Sequence, residues 1–269
     1  MQLARSLKKN PREIALQLQA ALPTASWLIK TEIAGAGFIN FFLSAATRWQ
    51  VVLDVLQQGA AFGHCHLGKQ QSIQIEFVSA NPTGPLHVGH GRGAAYGSSL
   101  ANILSAVGYK VSREYYVNDA GRQMDILALS TWLRYLELHG ESLPFPPNVY
   151  QGDYVRDMAA VLSNQYAGRF VQPSATILSA VVPQAASEDA TPEGKAQREA
   201  HLDGLIAQAK QLLGEDYYLL HAHALHTQLA ECKADLTAFG VQFETWFSEK
   251  SLFDRGLVAH AMDILQKNG

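Results

Sequence analysis

The sequence predicts an α/β protein: an open parallel sheet of the nucleotide-binding kind, preceded by a small α+β unit and interrupted by a largely helical segment. Three observations carry the prediction. Residues 73–107 read as a strand, a turn rich in glycine and proline, and a helix of small residues. Residues 109–117 read as a second strand, which makes that helix the right-handed crossover that parallel neighbours require. From 124 to 238 the pattern is mainly helical, and a strand returns only at 241–247.

The first segment, Met1 to Leu7, reads as a helix already under way with no capping residue ahead of it, so more chain is expected upstream. Asn10 followed by Pro11 opens a second helix, with Ile14, Leu16, Leu18 and Leu22 as its apolar positions. A strand is expected over 26–33, then a turn at Gly35 and Gly37, a strand over 38–43 and a helix from about 45 to 58. A glycine-rich break at 59–68 leads into the next strand. There Ile73, Ile75 and Phe77 alternate with Gln74 and Glu76, and Val78 extends the apolar run. Asn81, Pro82, Gly84 and Pro85 end the strand and bring bare backbone within reach of a ligand. In the helix that follows, Ala94, Ala95, Gly97, Ser98, Ser99 and Ala101 permit close packing on a sheet. Its apolar residues Leu100, Ile103, Leu104 and Val107 fall at helical spacing.

Open α/β sheets hold nucleotides beyond the carboxyl ends of their strands, where amides and the positive end of a helix favour phosphate. The turn lies at such a place, yet it is neither a G-x-x-x-x-G-K-[ST] loop nor a G-x-G-x-x-G turn. His87 and His90 stand there instead, three apart in the first helical turn, able to project to one side and donate to a phosphate. At the end of the second strand, Asp119 is expected to cap the next helix. Tyr116, Asn118, Asp119 and Gln123 are second-line site residues at the same sheet edge. Beyond them come a proline-rich interruption at 143–147 and a polar, alanine-rich stretch at 184–200, expected as a mobile loop or a solvated helix start. A final helix is expected over 254–266.

A net charge of −3 excludes nucleic-acid binding by overall positive charge, although a local basic strip remains possible. Cys65 and Cys232 are expected as free thiols of a reducing compartment. No run approaches the roughly 18 apolar residues of a membrane span, and no signal-peptide core is present, so a cytoplasmic chain with no membrane contact is expected. No metal site is expected. His64, Cys65 and His66 are too close in sequence to converge on one ion, and His221, His223 and His226 do not share one helical face.

His87-Val88-Gly89-His90, preceded by Ala80-Asn81-Pro82-Thr83-Gly84-Pro85-Leu86, resembles the HIGH signature of class I aminoacyl-tRNA synthetases. Its flanks look like those of bacterial arginyl-tRNA synthetases. So do Val117-Asn118-Asp119-Ala120-Gly121-Arg122-Gln123, Gly152-Asp153-Tyr154-Val155, Phe239-Gly240-Val241 and Trp246-Phe247-Ser248-Glu249, in the same order along nearly the whole chain. The resemblance implies a Rossmann-like catalytic domain whose first half is 69–125. It also implies an N-terminal tRNA-contacting domain over 1–68, a helical insertion over 126–238 and a return to the catalytic domain over 239–269.

It further implies ATP-dependent activation of L-arginine and transfer to tRNA(Arg), with Mg²⁺ accompanying ATP, no tightly bound cofactor, and a monomer. By resemblance His87 and His90 are catalytic, and Pro85, His87, Gly89 and His90 bind ATP. Glu76, Ser79, Ala80, Asn81 and His90 hold arginine, while Phe38 and Asn40 meet an unpaired tRNA base. Phe38, Phe41 and Phe42 could instead fill a core, and Glu76 could simply face solvent. The family continues with a KMSKS-type loop and an anticodon-binding domain. Neither is found here, and the position where some relatives place a lysine is Gly84. This chain is therefore expected to be weak or inactive alone. The alternatives are a tRNA-binding module without catalysis, another HIGH-type nucleotidyltransferase such as a cysteinyl enzyme, and a non-enzymatic structural protein.

Overall fold

The computed structural model describes residues 2–186 and 191–269 and divides into two compact units, residues 1–65 and 66–269. In the first, α1 (Gln2–Leu7) and α2 (Pro11–Ala20) precede an antiparallel hairpin of β1 (Leu28–Ala34) and β2 (Phe38–Leu43), followed by α3 (Ala45–Gln58). The Asn10 side chain caps α2 by accepting from the Arg12 amide at 2.9 Å, as the cap-then-proline pattern predicts. Ser44 caps α3 in the same way, accepting from Thr47 N at 3.3 Å. The apolar stripe of α2 differs from expectation: Ile14 and Ala15 are buried, whereas Leu16 and Leu18 are exposed. Leu16 lies two residues after Ile14, which on a helix turns it away from the inward face, while Leu18, four after Ile14, lies on the same side as Ile14 and is nonetheless exposed. Gly37, at φ 119°, brings the hairpin turn so close that a Cβ there would sit 2.8 Å from the Pro11 carbonyl.

The second unit carries a parallel sheet of β3 (Ser72–Glu76), β4 (Lys110–Val117) and β5 (Thr245–Ser248), in that order, with Glu76 opposite Glu114 and Tyr116 opposite Phe247. Helix α4 (Val88–Ala106) joins β3 to β4. Between β4 and β5 run α5 (Arg122–Leu138), α6 (Asp153–Tyr166), α7 (Ser174–Leu178), α8 (Pro192–Leu213) and α9 (Glu215–Ala238), with the proline-rich 143–147 as the break between α5 and α6. These helices have their own core, in which Trp132, Leu136, Phe170 and Leu205 are buried and Trp132 Nε1 donates to Phe170 O at 2.8 Å. A separate cluster holds the sheet: Phe77, Tyr115, Val117 and Trp246 meet Ala94 of α4 and Leu236 of α9. Part of the alanine-rich stretch, 187–190, lies outside the described residues; from Pro192 onward it is α8, capped at Gly194 N by Thr191 at 3.0 Å.

Four expectations are corrected. Strand β3 stops at Glu76 rather than running on through Val78, because Val78 and Ser79 turn into left-handed conformations. In α4 the buried face is Ala94, Gly97 and Ala101, while Leu100 and Ile103 are exposed. The small residues face inward because the helix lies directly on the Phe77 ring, which a Cβ on Gly97 would strike. Strand β5 begins at Thr245, not at 241. The last helix is two, α10 (Lys250–Asp254) and α11 (Leu257–Asn268), separated by Gly256 at φ 65°. Among the described residues no helix is long and apolar enough to cross a membrane.

Gly97→Ala should lower stability by about 1–3 kcal/mol, because the added methyl forces Phe77 out of a packed position. Chemical denaturation measures this; an unchanged midpoint would mean that α4 can slide off the sheet at no cost.

Candidate active site

The chain leaves β3 through a turn that is strained and held. Val78 at φ 66° and Ser79 at φ 41° occupy a region that costs a residue with a Cβ about 1–3 kcal/mol, most of all a β-branched one. Ser79 Oγ ties the turn to the sheet, donating to Glu76 Oε1 at 2.7 Å and accepting from Tyr116 N at 3.1 Å. Tyr115, fully buried and stacked on Trp246 with centroids 4.3 Å apart, sends its hydroxyl to Ala80 O at 2.9 Å. Asn81 Nδ2 donates to Gln123 Oε1 at 2.6 Å, and Tyr154 of α6 donates to Thr83 O at 2.8 Å. Burial raises the Tyr115 hydroxyl far above its ordinary value and pushes the Tyr154 hydroxyl up to about 12, so both remain donors at neutral pH.

His87 and His90 form the start of α4. His87 is its N-cap, and its Nδ1 accepts from Gly89 N at 3.0 Å; His90 Nδ1 accepts from His87 N at 3.2 Å. The two rings stack with centroids 3.8 Å apart and 23° between their planes. With both Nδ1 atoms engaged as acceptors, the proton of each neutral ring resides on Nε2, where it faces no other partner among the described residues. Partial burial, and then the neighbouring His87, lower the His90 pKa below the usual imidazole range. The pair thus presents two Nε2 atoms at the positive end of a 19-residue helix.

Glu76 is exposed, as expected for an alternating strand, and Ser79 occupies only its Oε1. Burial raises the pKa of the Tyr116 hydroxyl, as do the neighbouring carboxylates of Glu249, Asp119 and Glu76. Three acidic side chains therefore converge on one phenol at the carboxyl edge of the sheet. Glu249, whose buried Oε2 has no partner, received no role from the sequence although it closes the Trp-Phe-Ser-Glu motif. Asp119 does not cap α5, whose N-cap is Gly121. It accepts instead from Ser248 Oγ at 2.6 Å and Lys250 N at 2.8 Å, stitching β4 to the start of α10. Asn118 Oδ1 is buried without a partner, 2.8 Å from where a Cβ on Gly121 would lie. A cavity of about 390 Å³ lined by Asp119, Lys210, Tyr217, His221 and Lys250 includes none of the turn residues and neither His87 nor His90.

The structure thus brings Glu76, Ser79, Ala80, Asn81, Tyr116 and Gln123 together around the turn, with His87, Gly89 and His90 following Pro85 at its far end. In the first unit, Phe38 and Asn40 are both exposed and, two apart on β2, lie on one face of the hairpin. Phe38, Phe41 and Phe42 do not fill that unit's core, since all three are exposed.

A strand, a clamped turn, an H-x-x-H helix start and a parallel second strand are the opening of the class I aminoacyl-tRNA synthetase nucleotide fold. Residues 51–139 match the family model for tRNA synthetases class I (R), catalytic domain, and residues 1–43 match that for the arginyl tRNA synthetase N-terminal domain. Over both stretches the chain is similar to arginyl-tRNA synthetases. It is 59% identical over 269 residues to the arginine–tRNA ligase of Dechloromonas aromatica (strain RCB), a match covering 100% of this chain and 46% of that one. The arginine–tRNA ligase of Azoarcus sp. (strain BH72) is likewise 59% identical, over 270 residues, again 100% of this chain and 46% of the relative. The chain therefore spans a little under half the length of these curated relatives. The solved Thermus thermophilus arginyl-tRNA synthetase shares the fold, with a TM-score of 0.55 and 24% identity over 98% of this chain and 37% of that one.

The lowered His90 pKa gives a signed pH dependence. Its contribution to stability is fully present above about 6.5, the unfolded value, and is lost as pH falls from there through the folded value. Removing the neighbouring ring by His87→Ala, which keeps the backbone N–H that His90 accepts, should raise the His90 pKa toward that value. Imidazole NMR titration reads this; a His90 pKa that stays put or falls would show that the stacked ring exerts no electrostatic effect.

Proposed function

We propose that this chain carries the ATP and arginine sites of an arginine–tRNA ligase, which activates L-arginine to arginyl-adenylate and passes the arginyl group to tRNA(Arg). The observation that carries the reading is the stacked pair His87 and His90, two Nε2–H donors at a helix start, placed directly after a turn bearing Glu76, Ser79 and Asn81. In the first step the arginine carboxylate attacks the α-phosphorus of ATP, the new P–O bond forms as the bond to pyrophosphate breaks, and pyrophosphate leaves. In the second, a hydroxyl of the tRNA 3′-terminal ribose attacks the arginyl carbonyl, its proton is released, and AMP departs.

Neither step requires a nucleophile from the protein. Its part is alignment and stabilisation of developing negative charge. His87 and His90 donate to phosphate oxygens whose charge grows during displacement. Gly89 keeps the helix start bare for the adenosine, since a Cβ there would lie 2.8 Å from the His87 ring. Pro85 fixes the approach to it. Mg²⁺ enters as part of the MgATP substrate and neutralises its phosphates.

Arginine presents a planar fork of five donors, which a carboxylate meets in two parallel hydrogen bonds. Glu76 is the first such acceptor, supported by the acidic surroundings of Tyr116. Asn81, with its amide N–H held by Gln123, turns its Oδ1 free for the substrate amino group, and the Ser79 and Ala80 backbone and His90 complete the amino-acid side. Lysine, a compact ammonium, cannot use the paired geometry, and neutral side chains would leave Glu76 unmet. Phe38 and Asn40, exposed side by side, suit stacking and edge recognition of a splayed tRNA base. The reading includes residues 1–68 as the tRNA-contacting domain, 69–125 and 239–269 as catalytic domain, 126–238 as an insertion, and a monomer working in the cytoplasm.

The test is arginylation of tRNA by the full-length gene product and its His90→Ala variant, with the variant expected to lose about 10²–10³-fold in kcat. Charging with a different amino acid, or tRNA binding with no pyrophosphate released, would replace this reading with another nucleotidyltransferase or a binding module. A second substitution tests the amino-acid side: Gln123→Ala frees the Asn81 amide and should raise KM for arginine about tenfold with KM for ATP little changed. Steady-state kinetics separate the two.

A further inference from the structure

We propose that Tyr154 of the helical segment is the positioning residue for the phosphate side of the site, holding the turn through the Thr83 carbonyl and the space over Gly84. The proposal rests on the reading of His87 and His90 as phosphate donors. Its own basis is geometric. Tyr154 and Thr83 are 71 residues apart, yet the tyrosine hydroxyl reaches the Thr83 carbonyl at 2.8 Å. Among the described residues this is the only hydrogen bond that residues 82–86 accept or donate outside the turn itself.

Two glycines leave room for this one side chain. A Cβ on Gly84 would lie 3.2 Å from the Tyr154 hydroxyl, and a Cβ on Gly152, the N-cap of α6, would strike the Tyr154 ring. The ring is therefore bracketed by bare backbone at its tip and at its base, and the Gly-Asp-Tyr sequence at 152–154 acquires a function that helix capping does not explain. The next residues anchor it: Val155 and Met158 are buried against Met124 and Leu127 of α5. Helix α5 also carries Gln123, which holds Asn81. One packed helix pair thus grips the turn twice, at Asn81 on the amino-acid side and at Thr83 on the side leading to His87.

Tyr154→Phe removes only the hydroxyl. In arginine-dependent exchange of pyrophosphate into ATP by the full-length gene product with tRNA(Arg) present, KM for ATP should rise about tenfold, with KM for arginine and the melting temperature nearly unchanged. Gly84→Ala, whose methyl presses the hydroxyl aside by a few tenths of an ångström, should raise the same KM by a smaller factor. A loss of melting temperature with both KM values intact, or equal rises in the two, would overturn the proposal. If the parent protein shows no arginine-dependent exchange, the functional reading fails by itself. The positioning role is then read from amide hydrogen exchange at Thr83 and His87 in this chain: about tenfold faster in Tyr154→Phe upholds it, and unchanged rates refute it.

Discussion

The site depends on the backbone turn at Val78 and Ser79. A valine at φ 66° is a conformation that an isolated chain avoids, and two successive left-handed residues together cost a few kcal/mol. A single neutral hydrogen bond contributes only about 0.5–1.5 kcal/mol net, so no one tether could hold the turn. Four groups from three directions do so: Ser79 through its own hydroxyl, Tyr115 from the sheet core, and Gln123 and Tyr154 from the helical segment. The strain is useful because it diverts the chain at the edge of the sheet.

The same economy governs the histidines. Two imidazolium ions stacked 3.8 Å apart would repel, and protonation of either Nδ1 would remove an acceptor that the helix start uses. The capping arrangement therefore fixes which nitrogen bears the proton of a neutral ring, and His90 is held toward that form. Uncharged donors bind a phosphate less tightly in the ground state than cations would, but they strengthen as charge develops on the oxygens. Around Tyr116 the sign is reversed, with Glu76, Asp119 and Glu249 gathered about its hydroxyl. Opposite electrostatics within one turn suit a substrate pair in which one partner is polyanionic and the other carries a cation.

Much of this was legible in the sequence because it is local. The alternation of Ile73, Ile75 and Phe77, the Asn10-Pro11 start, the bounds of β2 and α3, and the histidines on one side of a helix start all follow from neighbours within a few residues. What was not legible is tertiary. Asp119 was expected to cap the helix just after it, but its partners Ser248 and Lys250 lie 129 and 131 residues away. Leu100 and Ile103 have the spacing of a core face, yet the helix turns its glycine and alanines inward because Phe77 sits too close for anything larger. The left-handed Val78 has no local signal at all, since valine is the residue least suited to it. Glu249 was visible only as part of a motif, and its approach to Tyr116 exists only once β5 pairs with β4.

The most direct test is a crystal structure of the full-length gene product with a non-hydrolysable arginyl-adenylate analogue. The account predicts the α-phosphate within hydrogen-bond distance of Nε2 of His87 and His90, the guanidinium against Glu76, and the turn at Val78 and Ser79 unmoved. An analogue seated elsewhere, or histidines turned away from its phosphate, would contradict it.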